Sequence, residues 1–160
     1  MSDWIKITGS MENPYTQARH RNRDQRHVWF PGTGARVEKG DRLFLYTGHP
    51  LRRFYGICIV LEGPVSVVVP RDGLRLRSRV FDQLSVWDLR SYGVDAEDVF
   101  PLPGGREMIS LRQKSHIILD PPEASSLAAL LVAAVEREIE DWTGIPIQAR
   151  LFPPDSTWDI

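Results

Sequence analysis

Apolar and polar residues alternate from Trp4 to Thr8 in "WIKIT", three of whose five side chains are β-branched. This is the pattern of a strand with one buried face. Gly9 and Ser10 break it. The following "MENPYTQARHRNRDQRH" has no sustained apolar period, although its first part predicts a short helix beginning near Pro14. "VWF" at 28–30 predicts a short apolar strand closed by "PGTG" at 31–34. Two longer runs come next, "DRLFLYT" entered through Gly40 and "RFYGICIVLEG", with Gly48 and Pro50 at their connection. Gly56, inside the second run, suits a bulge or a close approach by another backbone or a ligand. "VSVVVP" and "LRLRSRVF" add two strand-like stretches around the turn "RDG" at 71–73, and "LSVWDLRSYGV" reads as a further strand of mixed pattern.

The clearest helix lies late in the chain. "MISL" and "SHIIL" lead to Asp120 as N-cap, with Pro121 at the first helical position and Glu123 three residues after the cap, a capping-box arrangement. Leu127, Leu130, Leu131, Ala134, Val135, Ile139 and Trp142 recur at three- and four-residue steps and define one buried stripe, which Gly144 ends. The tail from Ile145 onward looks extended, and Ile147, Leu151 and Phe152 predict that it packs back onto the rest. A series of short strands with one early and one late helix predicts an α+β fold: a small β-barrel braced by helices. At 160 residues and 42% hydrophobic, one domain over residues 1–160 is expected.

Charge adds a direction to this picture. The net charge is −1, yet residues 1–60 carry ten Lys or Arg against five Asp or Glu, while residues 119–160 carry two against eight. If these halves form separate faces, an anionic partner is drawn to the first. The most basic window holds Arg19, Arg21, Arg23 and Arg26, interleaved with His20 and His27 and opposed only by Asp24.

Other chemistry is excluded or disfavoured. There is no phosphate-binding glycine loop, and Gly32 and Gly34 lack the later glycine of a dinucleotide fingerprint. The four histidines do not fall at metal-ligand spacings, so neither a metal nor another cofactor is expected. Ser115 and His116 are adjacent, and in a regular strand they face opposite sides, so no catalytic set is assigned. Cys58, the sole cysteine, reads as a buried strand thiol and excludes an intramolecular disulfide. No apolar run approaches the ~20 residues of a membrane helix, and the start lacks a secretory pattern, so no membrane association and a cytoplasmic location are expected.

Trp4, "VWF", "GDRLFLY" with Gly40, Asp41, Phe44 and Tyr46, the Gly56-containing strand, and "SHIILDPPEASSLAALL" with Pro122 and Glu123 stand in an order that resembles the PUA-like superfamily over roughly residues 3–135. Within it the chain is most similar to EVE domains, with YTH and ASCH domains as cousins. Two places depart from EVE domains: the strand ends in "YTG", and "QARHRNRDQRH" replaces an Asn-rich first helix. The resemblance implies a nucleic-acid binding module, DNA or RNA, in which a flipped, modified base is held by aromatic rings. Trp29 is the first choice for a cage wall by its likeness in position to a YTH cage tryptophan, with Tyr46 at the barrel mouth and Tyr55, Phe54 and Trp4 as further ligand candidates. Phe54 and Tyr55 face opposite sides of a regular strand, so only one can share a pocket with Tyr46. Arg19, Arg21, Arg23, Arg26, Arg52 and Arg53 are the candidates for backbone phosphates. The alternative is an ASCH-like ribonuclease or other nucleic-acid-processing enzyme, with Tyr46 and Arg52 or Arg53 polarising a phosphate.

Overall fold

The computed structural model describes residues 1–9, 14–22, 26–32, 35–71, 74–89 and 93–143. Its framework is a seven-stranded mixed sheet, with β1 Asp3–Thr8, β2 His27–Pro31, β3 Arg42–Thr47, β4 Arg53–Arg71, β5 Leu74–Asp88, β6 Val94–Asp95 and β7 His116–Leu119. The strand order is β2-β5-β4-β3-β1-β7, with β6 beside the start of β4. The short helix α1 spans Gln17–Arg21 and the long helix α2 Pro121–Thr143, and 3-10 turns form at Ala96–Asp98 and Met108–Leu111. The α+β class is as expected, but the sheet is not a closed barrel: among the described residues its outer strands β2 and β7 do not pair. They meet through side chains instead, the rings of Phe30 and His116 lying 5.0 Å apart. The two stretches "VSVVVP" and "LSVWD" are not separate strands. They extend β4 and β5 into one long hairpin that turns after Arg71.

Alternation sorts the side chains into two buried layers. Ile5, Phe44, Tyr46, Phe54, Ile57 and Leu119 lie on one face and pack against Leu127, Leu131 and Val135 of α2. Trp4, Val28, Phe30, Leu43, Leu45, Tyr55, Cys58 and Phe81 fill the other, concave face. The two phases of β4 are reconciled by a bulge. Leu45 pairs with Gly56 and Tyr46 with Phe54, so Tyr55 has no partner on β3 and shares the concave side with Gly56, which has no side chain to compete.

Asp41 ties the first elements together. Its buried carboxylate accepts from the Ser2 amide (2.8 Å), the Trp4 indole N–H (2.9 Å) and the Glu38 amide (2.9 Å), while β1 and β3 pair in parallel beside it. Gly40 precedes it at φ +89°, a conformation other residues rarely adopt.

The expected capping box is present and reciprocal. The Glu123 amide donates to Asp120 Oδ1 (3.0 Å), and the Asp120 amide donates to Glu123 Oε1 (3.2 Å). Arg106 Nε completes it by donating to Glu123 Oε2 at 2.5 Å. Burial pushes the Glu123 carboxyl up, but the hydrogen bonds from Arg106 and from Asp120 outweigh it and hold the group below its ordinary range. The expected stripe packs as read through Leu127, Leu131 and Val135, and Gly144 and the tail lie outside the described residues. Replacing Glu123 with Ala is expected to lower unfolding free energy by about 2–3 kcal/mol, because the cap and a charge-assisted pair are lost together. Urea denaturation of the two proteins measures it, and a change below about 0.5 kcal/mol would contradict the role.

Candidate functional site

One end of the sheet gathers unusual chemistry. The C-terminal ends of β1 and β3 lie side by side, Thr47 pairs with Arg53 at the start of β4, and Lys6 pairs with His116 at the start of β7. Helix α1 reaches this end through two aromatic side chains. Tyr15 stacks on Tyr55 at 4.7 Å, and His20, a helix residue, meets Tyr55 edge-on at 5.3 Å. Thr16 caps α1 by accepting from the Arg19 amide (3.1 Å), which turns His20 inward and leaves Arg19 and Arg21 outward.

The hydrogen bonds fix the donors. A carbonyl only accepts, so Thr8 Oγ1, 3.1 Å from the Tyr46 carbonyl, is the donor there. The Tyr55 hydroxyl, 3.0 Å away, therefore donates to Thr8. By the same reasoning His20 Nε2–H donates to the Leu89 carbonyl (3.0 Å), and Nδ1 accepts from the Tyr15 hydroxyl (3.2 Å). Arg19 carries its guanidinium 5.6 Å above the Tyr15 ring, a cation–π lid on the stack.

Next to this stack on β1 stands a buried lysine. Lys6 Nζ donates to the carbonyls of Ile7 (2.9 Å) and Ser115 (3.4 Å) and lies 4.8 Å from the Phe30 ring centre. Burial without a carboxylate partner lowers its pKa to about 8. Across the strand pair, His116 Nδ1 is 2.5 Å from Ser115 Oγ. Burial, and then the Lys6 charge, push the His116 pKa down. The expectation that Ser115 and His116 face apart does not hold, because Ser115 precedes β7 and its side chain is not bound by strand alternation.

The nominated aromatic residues divide among three places. Tyr46 and Phe54 sit in the helix-side core with ring centres 4.8 Å apart, both buried. Burial raises the Tyr46 pKa, against a smaller opposing effect of Arg52. Trp4 and Tyr55 are buried on the concave face, and the Trp4 indole N–H is committed to Asp41. Trp29 is on the outer face of β2 and 49% exposed, beside a groove of about 320 Å³ that includes Glu62 and Asp82. Among the cations, Arg19, Arg21, Arg26 and Arg52 are exposed, Arg53 is half-buried and pairs with Asp95 at 3.1 Å, and Arg23 lies outside the described residues. Sequence reasoning missed Lys6, Thr8, Tyr15 and His20. The signals were a lysine at an inward position of "WIKIT" and an aromatic residue directly after Pro14.

Similarity searches by sequence find no matching family model and no matching curated protein. Solved structures do match. The ASCH protein from Zymomonas mobilis superposes with a TM-score of 0.50 at 10% identity, covering 81% of this chain and 95% of that one. A single-substitution variant of that protein gives 0.50 at 8% identity, covering 81% and 99%. The chain has an ASCH-like fold. ASCH domains are among the PUA-like cousins named by the sequence resemblance.

The Lys6 environment generates a pH dependence. The folded state holds this proton less tightly than the unfolded chain, whose lysine keeps the ordinary value of 10.5. Stability therefore rises as pH climbs from about 8 to 10.5, by roughly 3 kcal/mol for this group, and the full penalty applies below 8. Lys6→Met is expected to remove that increment, measured as the difference between the two proteins' denaturation profiles at pH 7 and pH 10. Parallel profiles would refute it.

Proposed function

We propose that this protein binds a nucleic-acid strand at the α1 end of the sheet and accepts one of its bases, in a chemically modified form, against the Tyr15–Tyr55 stack. The observation that carries the reading is the placement of the Arg19 guanidinium over the Tyr15 ring of that stack, with exposed Arg21 on the same short helix. Guanidinium groups hold phosphates, and a base takes the Tyr15 face that Arg19 covers when the lid moves aside. Base stacking of this kind is worth ~1–3 kcal/mol. The modified-base element rests on the EVE and YTH resemblance, the nucleic-acid element on the arginines and on the ASCH-like fold.

Affinity for labelled single-stranded oligonucleotides is expected to fall steeply with salt, with a slope near −0.7 per phosphate neutralised. Arg19→Ala with Arg21→Ala is expected to flatten that slope by about one to two, and a panel of modified and plain oligonucleotides reads the base preference. Salt-insensitive binding, or an unchanged slope in the double variant, would overturn the proposal.

One observation favours a second reading, a nucleic-acid-processing enzyme. Ser115 Oγ hydrogen bonds to a His116 imidazole whose pKa is lowered, with the Lys6 ammonium on the paired strand. A hydroxyl with a neutral base and a nearby cation is the equipment of nucleophilic catalysis. Incubation with end-labelled RNA is the test: cleavage that disappears in Ser115→Ala supports it, and intact RNA recovered from the complex removes it.

A further inference from the structure

The Trp29 groove lies apart from the arginines of α1. Trp29 is on the outer face, while Val28 and Phe30 on either side of it point into the concave core. Val65, Val67 and Val80 line the groove with it, and Val65 is 63% exposed. Its polar groups are Glu62, Asp82 and the imidazole of His27, and neither Lys nor Arg lines it among the described residues. The groove thus brings an exposed indole face, apolar walls and two carboxylates together in one concavity.

Charge selects the occupant. A phosphate would enter beside two carboxylates, which repel it. A cation meets the face of an exposed indole, apolar walls and those same carboxylates. Both acids have partners: Asp82 Oδ1 lies 3.3 Å from His27 Nε2, and Glu62 Oε1 lies 2.9 Å from Lys39 Nζ. The Glu62–Lys39 pair has side chains 68% and 70% exposed, and such pairs bind weakly enough to be exchanged for an incoming cation. Volume sets the size. At about 320 Å³ the groove is at the small end of ligand sites.

We propose that the outer groove beside Trp29 binds a small organic ammonium cation of the alkylammonium class, its methyl groups against Trp29 and the valines and its charge facing Glu62 and Asp82. Indole is the strongest ring for such a cation, and alkyl substituents on nitrogen suit the apolar walls better than a strongly hydrated primary ammonium does.

Choline and its neutral isostere 3,3-dimethylbutan-1-ol serve as probes against the full chain, followed by the indole N–H resonances of the five tryptophans, with Trp29→Phe assigning its signal. Choline is expected to shift the Trp29 resonance saturably and to bind about tenfold more tightly than the alcohol. Glu62→Gln with Asp82→Asn is expected to erase that preference while leaving the alcohol unaffected. Both side chains are exposed or half-exposed, so the double variant keeps its fold, checked by circular dichroism. Equal affinity for the two probes, or no shift of the Trp29 signal, overturns the proposal, as does an oligonucleotide that shifts that signal in competition with choline. The oligonucleotide slope of the Arg19 and Arg21 variant is measured separately, so either reading can fail alone.

Discussion

A single buried carboxylate holds the early chain in register. Asp41 accepts from the backbone of Ser2, the indole of Trp4 and the backbone of Glu38, so the chain start, the first strand and the loop before β3 are fixed to one point. A carboxylate withdrawn from water is costly unless its oxygens are occupied, and here three N–H groups occupy them. The parallel pairing of β1 with β3 follows, and with it the placement of Thr8 and Lys6 beside the strands that carry Tyr55 and His116. Arg42 adds a nearby clasp, its Nε donating to Asp3 Oδ1 at 2.6 Å.

The two faces of the sheet do different work. The helix-side face is an aliphatic and aromatic layer against α2. The concave face mixes rings with Lys6, His20, Thr8 and His116, each hydrogen bonded to a carbonyl or a hydroxyl. Burial lowers the Lys6 pKa to about 8, and burial and then the Lys6 charge lower that of His116 beside it. The outer groove at Trp29 has the opposite character, apolar with acids at its rim.

Much of the fold was legible because local rules sufficed. The Asp120–Glu123 box, the stripe of α2, the strands "WIKIT" and "DRLFLYT" and a bulge at Gly56 all depend on residues close in sequence. The merging of four strand-like stretches into β4 and β5 was not, because whether a Gly63–Pro64 interruption ends a strand or bends it depends on pairing partners elsewhere. The site was less legible still. Alternation correctly separates Phe54 from Tyr55, but at these two positions both faces of the sheet are covered, so facing a side does not mean facing solvent. Tyr15 and His20 come from a segment without apolar period, and only their meeting with Tyr55 gives them meaning. Ser115 reaches His116 because it stands one residue outside the strand, a boundary that periodicity does not fix.

The bulged position of Tyr55 has a consequence for how this chain tolerates insertion and deletion. It acts as a phase shifter: Phe54 before it and Ile57 after it reach the same layer despite an odd separation. Losing that one residue would restore plain alternation, leaving Phe54 and Gly56 opposite Tyr46 and Leu45 as before and Ile57 and Cys58 on their own faces, so what the deletion removes is the Tyr55 ring itself. The strand's phase thus does not depend on the residue that the bulge inserts, although that tyrosine is the one on which Tyr15 and His20 rest.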